Sequence, residues 1–166
     1  MNNINLIPLT GIPKVKVGDE ISTLIIKSIK RKKIKISKND LIVIAHKIIS
    51  ISENRFVELN KVKVGKHAIS LSKKIDKSKE FCQLILDNSK KIIKIKKGVI
   101  ITENRLGIIT ANAGIDQSNI NKKDFCLLLP LNPNATARKI SRAIYQETGK
   151  KLGIIIADSV GRPWRH

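Results

Sequence analysis

The segment Thr110-Ala-Asn-Ala-Gly-Ile-Asp-Gln-Ser-Asn119 is the most informative stretch of the chain. It follows two apolar runs at residues 99–102 and 106–109, which predict a pair of strands joined by a turn. The segment is small and polar, and Asp116 is its only charged residue. Small residues after a strand let the backbone approach a ligand closely, and a carboxylate there can hold a hard cation.

A second segment of this kind is Gly153-Ile-Ile-Ile-Ala-Asp-Ser-Val-Gly-Arg-Pro-Trp-Arg165. Its apolar residues predict a buried strand, and Asp158 and Ser159 follow where open α/β sheets bind ligands. Our hypothesis is that Asp116, Asp158 and the Ser159 hydroxyl share one Mg²⁺ or Mn²⁺ ion. The alternative is that both aspartates cap backbone N–H groups of turns, and composition alone favours it.

Length and composition indicate a globular protein. The 166 residues are enough for one domain with a hydrophobic core, and 42% of them are hydrophobic, which excludes a disordered tail. No apolar run reaches the length of a membrane span, and the N-terminal residues do not resemble a signal peptide. We therefore expect no membrane association and a cytoplasmic location.

The formal net charge of +20 is compatible with nucleic-acid binding, but the pattern argues against a dedicated role. Lysine alternates with isoleucine along the chain, as in residues 29–36 and 92–97, which is typical of solvated faces of helices and strands. Aromatic residues are only 3% of the chain, so no stacking platform for single strands is expected. We expect generic affinity for polyanions and no dedicated nucleic-acid partner.

Cysteine and histidine do not indicate a zinc site. Cys82 and Cys126 are far apart and neither belongs to a CxxC motif, so two reduced thiols are expected. His46, His67 and His166 show no metal-ligand spacing.

Hydrophobic periodicity predicts a mixed α/β fold of one domain without strict βαβ alternation. Gly11 and Pro13 bend the chain in a loop that is either an ordinary connection or a contact to a nucleotide. The motifs GxGxxG and GxxxxGK[ST] are absent, which disfavours Rossmann and P-loop nucleotide sites. The predicted strands are residues 4–9, 41–45 (central, with 48–52 continuing its apolar character), 56–59, 99–102, 106–109, 124–129 and 152–156. The predicted helices are residues 19–29 with Asp19 as N-cap, 68–74, 80–87, and 135–148 with Asn134 as N-cap.

An ordered set of short motifs resembles the coenzyme F420-0:gamma-glutamyl ligase family. The resemblance runs from about residue 4 to residue 165, and the order of the motifs is more specific than any one of them. The motifs are Gly11-Ile-Pro13, Lys47 to Ser50, Asn112-Ala-Gly-Ile-Asp116 with Ser118-Asn119, Leu127-Leu-Leu-Pro130, and Asp158-Ser-Val-Gly-Arg-Pro-Trp-Arg165.

The resemblance implies a GTP-dependent amide ligase of coenzyme F420 biosynthesis. GTP phosphorylates a carboxylate of F420-0, and the amino group of L-glutamate then attacks the acyl phosphate. It also implies Mg²⁺ or Mn²⁺, K⁺ as a further candidate ion, a homodimer, and a mixed α/β fold unlike the classical nucleotide-binding folds. The alternative is a truncated or degenerate member that binds nucleotide or metal without catalysis.

The resemblance also suggests site residues, although no catalytic residue can be assigned. Asp116, Asp158 and Ser159 would hold the metal. Arg162 and Arg165 are suited by chemistry alone to clamp a phosphate or carboxylate. The GTP-binding site would be formed by Ile12, Pro13, Lys14, Val15, His46, Lys47 and Asn119.

Two departures from the family pattern concern the nucleotide site. Ile51 stands where the family has a lysine that contacts the nucleotide, and Lys47 is the residue that could compensate for it. The chain corresponds to roughly the N-terminal two thirds of a family member. The family's remaining third carries another acidic metal ligand and more of the GTP site.

Overall fold

The computed structural model describes residues 4–117 and 124–158, and these contain helices, short strands and two 3₁₀ turns. The predicted mixed α/β class is confirmed. No helix in this part of the chain has the length and hydrophobicity needed to cross a membrane. The helices are α1 Ile21–Arg31, α2 His46–Ser52, α3 Lys66–Ile75, α4 Lys79–Asp87 and α5 Pro133–Thr148. The strands are β1 Leu41–Ala45, β2 Phe56–Glu58, β3 Ser89–Lys96, β4 Val99–Asn104, β5 Ile109–Ala111, β6 Phe125–Leu127 and β7 Gly153–Ala157. The 3₁₀ turns are Leu59–Lys61 and Asn112–Gly114.

The chain forms two compact units, and the first consists of residues up to Asn54 together with Asn132–Asp158. In this unit β1 and β7 pair in parallel, in a register that runs from Leu41 opposite Gly153 to Ala45 opposite Ala157. Helices α1 and α5 contribute isoleucines at helical spacing to one apolar cluster. Its buried members are Ile21, Ile25, Ile29, Ile44, Ile49, Ile140, Ile144 and Leu152.

Three sequence predictions for the first unit need correction. Residues 4–9 form no strand, and Leu6 is 92% exposed. Residues 48–52 belong to α2 rather than to an apolar extension of β1, because helical spacing buries Ile49 completely. Strand β1 was predicted to be central in its sheet, but among the described residues it pairs only with β7, and its Val43 is 63% exposed.

The second described unit is Arg55–Leu131 without residues 118–123. Strands β3, β4 and β5 form an antiparallel sheet in that order, while β2 pairs with β6. Two antiparallel strands, β4 and β5, pair here as predicted. The position of the second strand was wrong, because residues 106–108 form no strand and β5 is Ile109–Ala111. The lysine-rich β3 is exposed along nearly its whole length. The alternation of lysine and isoleucine predicts that only the lysine face is solvated, but Ile92, Ile93 and Ile95 are exposed as well. Helices α3 and α4 bury a separate core whose largest members include Ile75, Phe81, Ile85 and Ile100. Assignment of the whole chain to one domain stays a prediction.

Both predicted helix N-caps lie one or two residues from the observed ones. Helix α1 has Glu20 as its N-cap, and the Asp19 carboxylate instead accepts a hydrogen bond from the Lys16 amide at 2.7 Å. Helix α5 is capped by Asn132, whose Oδ1 accepts from the Ala135 amide at 3.0 Å. Proline at the first helical position accounts for the shift, because proline is suited to that position and places the cap immediately before it.

The cap of α5 can be tested with a matched pair of substitutions. Replacing Asn132 by alanine removes the acceptor for the Ala135 amide, and we expect a loss of about 1 kcal/mol in the free energy of unfolding. Asn134→Ala changes an exposed asparagine inside the helix, so the expected change is within about 0.5 kcal/mol. Urea unfolding followed by circular dichroism measures both. Equal losses in the two variants would contradict the assignment of the cap.

Candidate functional site

The carboxyl ends of β1 and β7 bring two predicted site residues together in the first unit. Because Ala45 lies opposite Ala157 in the parallel register, His46 and Asp158 leave the sheet side by side. His46 Nε2 lies 3.2 Å from Asp158 Oδ1. The histidine side chain is 6% exposed and the aspartate side chain 37% exposed, so a buried imidazole supports an accessible carboxylate. This edge of a parallel sheet is where open α/β proteins bind ligands.

The loop before α1 is fixed at its start by side chains of that helix. The Thr10 carbonyl accepts hydrogen bonds from Arg31 Nη2 at 2.7 Å and from Ser28 Oγ at 3.0 Å. Gly11 has φ +73°, and a Cβ there would lie 1.8 Å from Arg31 Nη2. A Cβ at this position would therefore displace the Arg31 guanidinium, and the positive φ also favours glycine.

The predicted nucleotide-binding residues of this loop divide into two pairs. Ile12 and Val15 are half-buried, and both line an apolar cavity of about 790 Å³. Pro13 and Lys14 are exposed. The apolar pair anchors the loop, which leaves Pro13 and Lys14 accessible to a ligand.

Helix α2 carries the remaining described residues of the predicted nucleotide site. Ile48 lines the same cavity as Ile12 and Val15. Lys47 is half-buried in the first turn of α2, and Ile51 is half-buried in its second turn. The aliphatic side chain of Ile51 cannot pair with a phosphate, and Lys47 and Lys14 are the basic residues among the predicted nucleotide-binding residues.

Asp116 belongs to the second unit, and backbone hydrogen bonds hold it in place. Its amide donates to the Leu127 carbonyl at 3.0 Å, and its carbonyl accepts from the Leu127 amide at 2.8 Å. The preceding 3₁₀ turn has left-handed backbone angles at Asn112, Ala113 and Gly114, with φ of +50°, +56° and +73°. Left-handed angles at non-glycine residues are strained, and such strain clusters at ligand sites.

The negative charge of Asp116 contributes to the raised pKa of the Cys126 thiol. The pKa of this thiol is raised to about 11: burial raises it most, a hydrogen bond with Gln117 lowers it, and the negative charge of Asp116 makes a smaller raising contribution. Cys126 precedes Leu127, the backbone partner of Asp116. The charge of Asp116 therefore interacts electrostatically with Cys126, a residue of the buried core.

Two other polar residues of the second unit, which were not among the predicted site residues, make defined hydrogen bonds. Arg55 Nε donates to the Leu129 carbonyl at 3.0 Å. Asn104 is 1% exposed, and its Oδ1 accepts from the amides of Leu106 at 2.9 Å and Ile108 at 3.1 Å. Asparagine at a predicted turn was the available signal for Asn104. Arg55 ends the run Ser50-Ile-Ser-Glu-Asn-Arg55, in which the family pattern also ends in arginine, but no role was predicted for it.

The donor chemistry fits the predicted metal ion only in part. The carboxylates of Asp116 and Asp158 are hard oxygen ligands of the kind that Mg²⁺ and Mn²⁺ prefer. No group of three histidine, cysteine or acidic side chains suited to a metal occurs within residues 4–117 and 124–158. Ser159 and Asn119 lie outside the described residues, as do Arg162 and Arg165. The metal and GTP assignments stay predictions.

Comparison with known proteins identifies the family of the chain. The model of the F420-0:Gamma-glutamyl ligase family matches residues 11–166, which is most of the sequence. The chain belongs to this family. The resemblance that the ordered motifs suggested is thereby confirmed.

Several relatives carry the name coenzyme F420:L-glutamate ligase. The protein of Methanocaldococcus jannaschii is 45% identical over 130 residues, covering 78% of this chain and 51% of the relative. The protein of Methanothermobacter thermautotrophicus is 36% identical over 162 residues, covering 98% of this chain and 64% of the relative. The protein of Archaeoglobus fulgidus is 31% identical over 162 residues, covering 98% and 62%. The chain thus spans less than two thirds of the length of these relatives.

The turn before Asp116 can be tested at Gly114. A Cβ at Gly114 would lie 2.6 Å from Leu129 Cδ1, whereas a Cβ at Gly98 would meet nothing within 4 Å. Both glycines have positive φ, so alanine at either should cost about 1 kcal/mol of backbone strain. We expect Gly114→Ala to lose roughly a further 1–3 kcal/mol through overpacking, measured by urea unfolding against Gly98→Ala. Equal losses would show that the contact with Leu129 is readily relieved.

The buried thiol of Cys126 predicts a loss of stability at alkaline pH. Between pH 9.0 and about 11 the unfolded thiol is ionised while the folded thiol keeps its proton, so the folded state binds more protons. The free energy of unfolding should therefore fall across this window, by roughly 3 kcal/mol from this group, and level off above it. Chemical denaturation at each pH compares the wild type with Cys126→Ser. The serine variant should show a shallower fall, and an identical slope would contradict the raised pKa.

Proposed function

We propose that this chain provides the nucleotide-binding and metal-binding part of a GTP-dependent ligase that joins L-glutamate to coenzyme F420-0. The observation that carries the proposal is the family match over residues 11–166, which includes every predicted ligand residue. The contact of His46 with Asp158 at the carboxyl edge of a parallel pair of strands supports it.

The reaction activates a poor electrophile and then forms an amide. A carboxylate oxygen of F420-0 attacks the γ-phosphorus of GTP, the bond to the β–γ bridging oxygen breaks, and GDP leaves. The amino nitrogen of glutamate attacks the acyl carbon, phosphate leaves with the C–O bonding pair, and the nitrogen loses a proton. The protein's contribution to phosphoryl transfer is mainly positioning and electrostatic stabilisation.

The described residues have distinct parts in this proposal. Asp116 and Asp158, with Ser159, would hold the divalent cation, which when bound neutralises charge on the triphosphate. His46 touches the Asp158 carboxylate and keeps it in one orientation, the usual role of a residue behind a metal ligand. Lys14 is exposed and Lys47 half-buried near the cavity, where their ammonium groups can meet phosphate oxygens. Pro13 and the loop backbone would contact the nucleotide.

The remaining expectations belong to the same proposal. Ile12, Val15 and Asn119 complete the proposed nucleotide site. The family resemblance implies a homodimer and a K⁺ requirement, and the cytoplasmic location expected from the sequence is part of the same proposal. F420-0 and L-glutamate are the proposed substrates.

A second candidate function is nucleotide or metal binding without catalysis. Ile51 favours it, because an aliphatic side chain replaces the lysine of the family pattern at a half-buried position of α2. Lower GTP affinity is expected from the loss of one cation. The two candidates differ in turnover, which an assay can measure.

The decisive experiment is a ligation assay. The chain is incubated with GTP, Mn²⁺, F420-0 and L-glutamate, alone and with a polypeptide supplying the unmatched part of the Methanothermobacter thermautotrophicus relative. Mass spectrometry should detect F420 with one added glutamate, together with released phosphate. Absence of product in both mixtures would exclude the ligase, and GTP binding without product would establish the second candidate.

Aspartate variants test the metal assignment in the same assay. Asp158→Asn should lower Mn²⁺ affinity and ligation by about 100-fold or more, since loss of a partner behind a ligand already costs about 10- to 100-fold. His46→Gln should cost about 10-fold through misplacement of Asp158. Asp87→Asn, at an exposed site on α4, is the control and should match the wild type. Wild-type Mn²⁺ affinity in Asp158→Asn would remove Asp158 from the site.

A further inference from the structure

The second unit contains a small cavity that the proposed metal and nucleotide residues do not explain. Its volume is about 80 Å³, and it lies between the end of β4 and residues 128–131. Among the described residues its lining has two guanidinium groups and two carboxamides but no acidic side chain. The polar members are Arg55, Asn88, Asn104 and Arg105.

Asn104 lines this cavity and carries a buried donor. Its Oδ1 accepts from the amides of Leu106 and Ile108, which fixes the orientation of the carboxamide. Its Nδ2 is buried and has no hydrogen-bond partner among the described residues. A buried donor without an acceptor costs free energy, so an acceptor group entering the cavity would be favoured there.

The two arginines supply positive charge of suitable geometry. Arg55 is held by the bond from its Nε to the Leu129 carbonyl, which leaves the other guanidinium donors for a ligand. Arg105 is exposed, and its amide donates to the Asn88 carbonyl at 3.1 Å, which fixes its backbone beside the cavity. Neither arginine forms a salt bridge within the described part of the chain. Guanidinium forks bind carboxylate and phosphate oxygens in pairs.

The cavity adjoins the backbone pairing of Asp116. Ile115 and Leu128 both line it, and they are the chain neighbours of the bridged residues Asp116 and Leu127. A group bound there would therefore lie next to a predicted metal ligand in the same unit. The volume of about 80 Å³ suits one compact group rather than a whole substrate, since about 10–15 Å³ is enough to hold one water molecule.

We propose that this cavity binds an oxyanion, a carboxylate or a phosphate, carried by one of the ligase substrates. Arg55 and Arg105 bind its oxygens, and Asn104 Nδ2 donates a further hydrogen bond to it. The assignment of the oxyanion to a substrate rests on the proposed ligase function, but binding of an oxyanion by the cavity does not.

Oxyanion binding by the purified chain tests the proposal directly. L-Glutamate and dimethyl phosphate are titrated separately at 150 mM salt, and amide NMR shifts are followed for residues that line the cavity. Saturable binding of either probe is expected. Glutamate alone would identify a carboxylate site, dimethyl phosphate alone would identify a phosphate site, and binding of neither would overturn the proposal.

Three variants separate the cavity from the general positive charge of the protein. Arg105→Gln removes an exposed guanidinium and should weaken binding about tenfold or more. Arg138→Gln removes the same charge at an exposed site on α5 and should leave the affinity unchanged. Asn104→Asp keeps an acceptor for the Leu106 and Ile108 amides but replaces the donor by a carboxylate, so it should abolish binding. Circular dichroism verifies that each variant is folded.

Each outcome bears on the cavity separately from the ligase. Equal losses in Arg105→Gln and Arg138→Gln would show only counterion binding to a chain of net charge +20, and the proposal would fail. If oxyanion binding is lost in Arg105→Gln but not in Arg138→Gln, and the chain never forms product, the oxyanion site is supported and the ligase function is rejected. Ligation with wild-type KM for both substrates in Arg105→Gln and Asn104→Asp would reject the cavity and keep the ligase.

Discussion

The parallel pairing of β1 with β7 is the constraint on which the first unit depends. Its register places Ala45 opposite Ala157, and this alone makes the following residues, His46 and Asp158, neighbours. The register is supported by the apolar cluster in which Ile44 of β1 packs with isoleucines of α1 and α5. A shift by one residue would exchange the two faces of a strand and separate the imidazole from the carboxylate. The polar contact is therefore a consequence of hydrophobic packing distant from it in sequence.

The two predicted metal-binding aspartates are held by different physical means. Asp158 follows a strand, and its carboxylate is contacted by the side chain of a buried histidine. Asp116 is held through its own backbone, which exchanges two hydrogen bonds with Leu127 after a turn of left-handed residues. Backbone strain of this kind costs on the order of 1–3 kcal/mol per residue and persists only where the surroundings fix it. The packing of Leu129 against Gly114 is one such restraint.

The sequence correctly predicted helices and strands with strong hydrophobic periodicity. Predictions failed where tertiary contacts determine the type of secondary structure. The strand at 41–45 and the helices α3 and α4 follow from local pattern. The run 48–52 fits strand or helix equally, and burial of Ile49 selects the helix. At the site, the rule that ligands bind at strand ends led to Asp158, and the resemblance added His46. Asn104 and Arg55 could not be found, because their significance depends on a cavity formed by segments remote in sequence.

The net charge of +20 attracts anions of every kind to this protein. Recognition of one particular anion therefore depends on the geometry of the hydrogen-bond donors rather than on electrostatic attraction alone. Lysines such as those of β3 stand on an exposed strand, where flexible ammonium groups attract any polyanion and salt weakens that attraction. Discrimination between anions needs donors that are already oriented before the ligand arrives, because ordering them on binding would cost conformational entropy. Arg55 is fixed by Leu129, and Asn104 by two backbone amides, so both donors are oriented by the fold itself. In a protein with so many basic residues, hydrogen-bonded restraint of a few donors identifies a binding site better than the abundance of positive charge.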